Sequence, residues 1–287
     1  MAQLIQFPVR QEQKAIAFWI EEFENDYFTR RARTPKSETT WHIDYKRVFA
    51  RLPQSQPLTS DALMTLATST NPDTRTRKRY CIALGALARF AGLTLDLKPY
   101  AGKYSPKTAS PRELPDDSTI VRWHSQIPAD DWRWAYGMLA TYGLRPHELF
   151  HLDHQRLEAE NWQLKVLDGK TGARTVFPLY PEWVEQFHLS NVRLPKCTGK
   201  ANADLGNRVT RAFHRFEIPF PAYALRHCWA VRSMDFGWEV ALAARQMGHS
   251  VTVHTQTYHA WITERQQQKM FDALMQRSDR PCPPKPH

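Results

Sequence analysis

Several things are missing from this 287-residue chain, and each omission narrows the possibilities. No apolar run approaches the roughly 18 residues that a membrane helix needs, so no membrane partner is expected. The opening MAQLIQFPVRQEQK has no signal-peptide core, which predicts an intracellular, cytoplasmic protein. Cysteine is scarce and scattered. Cys81, Cys197, Cys228 and Cys282 make no CxxC pair and no zinc-type spacing, so reduced thiols and no metal site are expected. No internal repeat is present. Acidic residues are outnumbered, 29 Asp and Glu against 39 Lys and Arg, giving a net charge of +10. The surplus is uneven: residues 1–110 hold 17 basic and 10 acidic side chains, the remainder 22 and 19. A concentrated positive field favours a polyanion, most often nucleic acid.

Hydrophobic residues at 42% and charged ones at 24% describe a soluble globular chain long enough for two domains. The first third reads as helices. Residues 11–31 place Ile16, Trp19, Ile20, Phe23 and Tyr27 at helical spacing. A second helix, with Ser37 and Thr39 as candidate caps, carries Trp41, Tyr45, Val48, Phe49 and Leu52. A third starts at a Ser60 cap and holds Leu63, Leu66 and Ala67. A fourth spans 74–91, with Ile82, Leu84, Leu87 and Phe90 as its apolar set. It opens with Arg75, Arg77, Lys78 and Arg79, which read either as a solvated face or as a helix end laid along phosphates.

The proline-rich stretch 96–115 reads as a connection. A first domain is therefore expected over 1–98, a linker at 99–112, a second domain over 113–278 and a disordered tail at 279–287. In the second domain, helices are expected at 116–127 and 130–142, with Trp123, Trp132, Trp134, Met138 and Leu139 as core. A β-hairpin follows, its strands WQLKVLD and ARTVFPL flanking Gly169-Lys170-Thr171-Gly172. Further helices are expected at 181–188, 200–215, 222–236, 239–246 and 261–275. The fold class is mostly α with a small β-hairpin in the second domain.

Four local patterns carry chemistry, and each also has an ordinary reading. In TYGLRPHEL (141–149), Arg145 and Glu148 are spaced to pair across a helix junction. Lys170 in the Gly-rich turn reads singly as an exposed lysine. Arg226, within the apolar helix AYALRHCWA, needs a partner, either an acidic side chain or a substrate phosphate. In QMGHSVTVHTQTYHAW (246–261), His249 follows a helix end and Tyr258 lies further on; singly they read as a packed histidine and a half-buried tyrosine.

The joint order is more specific than any one element. Arg145, hairpin Lys170, Arg226, His249 in a Gly-His pair, then Tyr258, with gaps of 23 residues from Arg226 to His249 and 9 from there to Tyr258, resembles the tyrosine recombinase (phage integrase-like) family. PRELPDDSTI at 111–120 looks like the entry to that family's catalytic domain. The resemblance covers about 111–275 by motif and the N-terminal helices by layout and charge. One position departs: Tyr223 stands where the family commonly has His, three residues before the second arginine. A phenol titrates near pH 10 and is a poor general base at neutrality.

The resemblance implies an N-terminal helical core-binding domain and a C-terminal α+β catalytic domain. It implies DNA cleavage and rejoining through a covalent 3′-phosphotyrosine at Tyr258. Arg145, Arg226 and His249 would hold the phosphate, Glu148 would orient Arg145, and Lys170 would protonate the leaving 5′ oxygen. No cofactor or metal is expected. The implied partners are double-stranded DNA, bound in part by Arg75, Arg77, Lys78 and Arg79, and further copies of the chain, as a homotetramer on two DNA sites. Accessory DNA-bending or directionality factors and a nucleoid location are also implied. Two alternatives stay open: a DNA-binding relative with impaired chemistry, and a type IB topoisomerase-like enzyme.

Overall fold

The computed structural model describes residues 14–105, 113–154, 162–169, 172–199, 201–258, 261 and 264–283, in two compact units, Met1–Ala109 and Ser110–His287. The first is helical: α1 (Ile16–Thr29), α2 (Pro35–Thr40), a π-helical stretch (Trp41–Lys46), α3 (Arg47–Phe49), α4 (Ser60–Thr68), α5 (Arg75–Phe90) and a 3-10 turn (Lys98–Ala101). Its core is aromatic. Phe23 on α1 packs edge-on to Phe49 and Phe90, and Trp41 stacks on Tyr45. The expected start of the first helix, 11–13, lies outside the described residues.

Three local expectations need correction. Thr34, not Ser37 or Thr39, caps α2. Ser37 is the reciprocal member of the box: its N–H donates to Thr34 Oγ1 at 3.2 Å, and its Oγ accepts from Thr34 N at 2.9 Å. Thr59 rather than Ser60 caps α4, accepting from Ala62 N at 3.1 Å. Ile82 is 57% exposed, because the buried face of α5 runs through Cys81, Leu84 and Ala88, which leaves position 82 about 100° off it.

The basic run also divides. Successive helical positions are turned by about 100°, so four neighbours cannot share one face. Arg77 is buried: its Nε donates to Thr70 Oγ1 at 2.8 Å and its Nη2 to the carbonyls of Thr68, at 2.9 Å, and Thr70. It clasps the α4–α5 connection. Arg75 and Lys78 are exposed and Arg79 is half-buried.

The second unit contains α6 (Asp117–Gln126), α7 (Asp130–Tyr142), a 3-10 turn (Pro146–Phe150), β1 (Leu152–Asp153), β2 (Leu164–Val166), β3 (Arg174–Val176), α8 (Glu182–Gln186), α9 (Asn202–Arg215), α10 (Ala222–Asp235), α11 (Val240–Gln246), α12 (Val251–Tyr258) and α13 (Glu264–Met275). The hairpin strands pair antiparallel, Lys165 opposite Thr175. A third strand, β1, adds to β2 with Leu152 opposite Val166, an element too short to read from pattern. α12 was likewise unexpected. The core gathers α7, the sheet, α9 and α10 around Tyr136, Met138, Leu139 and Leu225. Lys170 and Thr171 at the hairpin tip, 106–112 of the expected linker and 284–287 of the tail lie outside the described residues.

Candidate active site

The site is assembled at the junction of α7, α10 and α11. α7 ends on Gly143 at φ +63°, its N–H closing on Leu139 O at 3.1 Å. Glycine is required there twice over. The φ is left-handed, and a Cβ would sit 2.6 Å from Cγ of Trp229 on α10. That close approach brings Arg226, one turn before Trp229, within reach of the end of α7. Its Nη1 donates to Gly143 O at 2.7 Å.

Arg145 follows the glycine, before Pro146 in the first position of the 3-10 turn. Glu148, fully buried, reaches back: Oε2 accepts from Arg145 N and Oε1 from Arg145 Nη1, both at 2.8 Å. The expected Arg145–Glu148 pair is thus present. A third arginine joins it. Arg174 on β3 donates Nη1 to Glu148 Oε1 at 2.8 Å and Nη2 to Oε2 at 2.6 Å. Sequence reading passed over Arg174. The signal was there: with Val176 buried, period-2 alternation turns Arg174 to the same inward face.

The C-terminus of α11 supplies the rest of the frame. Three successive carbonyls at and just past its end accept one guanidinium each: Gln246 O from Arg174 Nε, Met247 O from Arg226 Nη2, and Gly248 O from Arg145 Nη2 at 2.9 Å. Helix-terminal carbonyls carry partial negative charge and lack intrahelical donors, which makes them natural acceptors for cations. Gln246 anchors α11 to the sheet edge by exchanging hydrogen bonds with the backbone of Phe177, at 2.8 and 3.0 Å.

Three guanidiniums therefore surround one carboxylate. Burial alone would raise the Glu148 carboxyl, but Arg174, with Arg226 and Arg145, overrides it and holds the group at about 2. Burial and the neighbouring Arg145 pull the Arg226 guanidinium downward, yet it stays charged at neutral pH. Positive charge exceeds negative in this cluster of described residues, and the Arg226 Nε finds no partner among them. The arrangement is built to stabilise an anion.

His249 comes next, its Nε2 3.3 Å from Arg226 Nη2. Arginine offers only donors, so Nε2 is the acceptor and the ring proton sits on Nδ1. Burial, then the charges of Arg226 and Arg145, lower the imidazole to about 3, so it remains neutral and Nδ1–H is a donor. Tyr258 at the end of α12 is 1% exposed and stacks on His249 with ring centres 6.3 Å apart. Tyr223 lies at the rim, 38% exposed and edge-on to His227. The structure thus brings Arg145, Glu148, Arg226, His249 and Tyr258 together, with Tyr223 at the edge. Lys170 is outside the described residues. No group of described residues is arranged to hold a metal ion, and no described helix is long and apolar enough to cross a membrane.

Residues 17–101 match the family described as the XisA/XisC excisase second domain. The chain is similar to Excisase A of Nostoc sp. (strain PCC 7120 / SAG 25.82 / UTEX 2576), 29% identical over 289 residues, covering 88% of this chain and 60% of that protein. It is also similar to Tyrosine recombinase XerD of Pseudomonas aeruginosa, 26% identical over 63% of this chain and 65% of that one. The chain spans about three-fifths of the length of the curated relatives it matches. In fold it resembles the Tn1549 transposon integrase in complex with circular intermediate DNA, with TM-score 0.57 and 16% identity over 91% of this chain and 100% of that one.

Proposed function

We propose that the chain is a tyrosine recombinase that cuts and rejoins DNA strands at specific sites through a covalent phosphotyrosine at Tyr258, a reading supported by its likeness to Excisase A and Tyrosine recombinase XerD. The observation that carries the proposal is the buried cluster of Arg145, Arg174 and Arg226 on a single carboxylate, with Tyr258 stacked on His249 beside it. In-line displacement at a phosphodiester builds charge on the non-bridging oxygens, and fixed guanidiniums oppose that charge without reorganising.

In this reading Arg145 and Arg226 clamp the phosphate. Glu148 and Arg174 hold the clamp in place from behind. His249 donates Nδ1–H to a non-bridging oxygen. Tyr258 attacks phosphorus to give a 3′-phosphotyrosine. Lys170 protonates the departing 5′ oxygen. The covalent bond conserves the energy of the broken linkage, so rejoining by a second 5′ hydroxyl consumes no nucleotide. The substrate is duplex DNA with two sites brought together by a tetramer, and the Excisase A likeness favours excision of a DNA segment. The first unit supplies further DNA contacts through Arg75, Lys78 and Arg79. Accessory DNA-bending or directionality factors act with it, in the cytoplasm at the nucleoid.

Tyr223 favours a second reading, a DNA-binding relative that has lost the chemistry, because no imidazole stands at that position. One experiment separates the two. Nicked fragments of the source genome are incubated with wild type and with Tyr258→Phe, and SDS-resistant adducts are collected. Adducts from wild type alone support strand exchange, and sequencing them identifies the site. Adducts from Tyr258→Phe as well would overturn the assignment of the nucleophile. Tight binding with no adduct from either would support the second reading.

A further inference from the structure

A phenol that attacks phosphorus must surrender its proton as it does so, and burial makes this harder by pushing the Tyr258 hydroxyl well above its ordinary range. The hydroxyl finds no hydrogen-bond partner among the described residues. Its ring is nevertheless surrounded by imidazoles: His254 at 4.8 Å between ring centres, His227 at 5.6 Å and His249 at 6.3 Å, with Trp261 at 5.7 Å. His249 is committed as a donor, because its Nε2 already accepts from Arg226. Tyr223 is a phenol, and exposed. His227 is stacked flat on Trp261 and edge-on to the nucleophile.

His254 differs from these. It lies one helical turn before Tyr258 on α12, and helical side chains lean toward the N-terminus, so the tyrosine ring rests over it. It is 3% exposed, and its Nδ1 is buried with no partner among the described residues. The groups facing this pair are Arg226, Tyr223, His227 and Cys228 from α10, Arg145 from the turn after α7, and His249 from the α11–α12 turn. Burial, then the Arg226 charge, keeps His254 below the ordinary histidine range and hence neutral at neutral pH. A neutral imidazole with an open nitrogen beside a protonated nucleophile is a general base.

We propose that His254 accepts the Tyr258 proton during strand cleavage, supplying the base that Tyr223 does not. This rests on the covalent chemistry proposed above. The two atoms are not hydrogen-bonded in the resting chain, and the contact closes when the phosphate is bound: as the Tyr258 Oη–phosphorus bond forms, the hydroxyl proton passes to His254 Nδ1. The bond from phosphorus to the 5′ oxygen breaks, and that oxygen leaves with a proton from the general acid. On rejoining, a 5′ hydroxyl attacks phosphorus and gives its proton back to the general acid, the phosphotyrosine bond breaks, and His254 returns its proton to the phenolate.

The test measures adduct formation by the full chain on nicked duplex carrying a site recovered with wild type, from pH 6 to 9. His254→Gln keeps a polar side chain without titration; His254→Phe keeps the ring; His227→Phe is run beside them. Both His254 variants are expected to bind DNA as wild type does and to lose about 100-fold in adduct rate at pH 7. The deficit should narrow as pH rises, because hydroxide then removes the proton. Tyr223→His introduced into His254→Gln should restore the rate at least about tenfold, by returning an imidazole to the site. Rates in both variants within about threefold of wild type would overturn the proposal, as would a loss equal at every pH or one carried by His227→Phe instead. If wild type binds genomic fragments and yields no adduct from which to recover a site, the covalent reading itself falls, a result distinct from either.

Discussion

Glu148→Gln tests how the site is held together. The carboxylate accepts four hydrogen bonds, two from Arg145 and two from Arg174, and lies 4.0 Å from Arg226. Glutamine keeps the volume, removes the charge, and turns an NH2 toward guanidiniums that can only donate. Its cost can be worked two ways. The carboxyl moves from an ordinary 4.5 to about 2 in the folded chain, which at about 1.4 kcal/mol per pH unit is about 3 kcal/mol. Removing one member of a buried ion pair costs about 3–5 kcal/mol. The two agree on a loss of about 3–4 kcal/mol, against a total stability of about 5–15 kcal/mol. Because the folded value is depressed, the stabilisation is complete above pH 4.5 and is lost as pH falls toward 2. Urea unfolding of wild type and variant at pH 2–7 should therefore give curves well separated at pH 7 that converge below pH 4.5. Inorganic sulfate should stabilise the variant more than wild type, since three buried cations then lack their counter-charge. A difference under about 1 kcal/mol at pH 7, or one that does not shrink in acid, would refute the reasoning.

Four further outcomes are expected. Gly143→Ala places a Cβ against Trp229 at left-handed φ, and thermal unfolding should show a loss of at least about 2 kcal/mol with DNA binding weakened through Arg145 and Arg226. Tyr258→Phe removes a buried hydroxyl that has no described partner, so the variant that forms no adduct should melt no lower than wild type and about 1 kcal/mol higher at most. Arg77→Ala should cost about 2 kcal/mol of stability by releasing the α4–α5 connection. Removing charge at Arg75 and Arg79 should instead spare the melting temperature and flatten the salt dependence of DNA binding, by about one unit of slope for each phosphate that is no longer neutralised.

Much of this was legible in the chain itself. Helices α5, α6 and α7 lie within a residue or two of their expected bounds, because apolar spacing, capping residues such as Thr74 and Asp116, and the stop at Gly143 are local signals. Arg145, Glu148, Arg226, His249 and Tyr258 stood out by order and spacing. Even the His254–Tyr258 pair has a readable signal, two side chains one helical turn apart, once α12 is recognised as a helix. β1 and the π-helical stretch at Trp41–Lys46 had none, since two strand residues and a single widened turn leave no period to detect.

What tertiary structure decided was the use to which the charges are put. Sequence identified basic residues and their neighbours along the chain. It did not show that Arg77 turns into the first unit while Arg75 stays in solvent, or that Arg174 crosses from the sheet to share Glu148 with Arg145. Local pattern reports which face of an element is apolar. The partner of a buried charge is chosen by whichever acceptor long-range packing brings within about 3 Å. Here Gly143 against Trp229 and the C-terminus of α11 against the sheet make that choice, and they turn scattered arginines into one anion-stabilising cluster beside Tyr258.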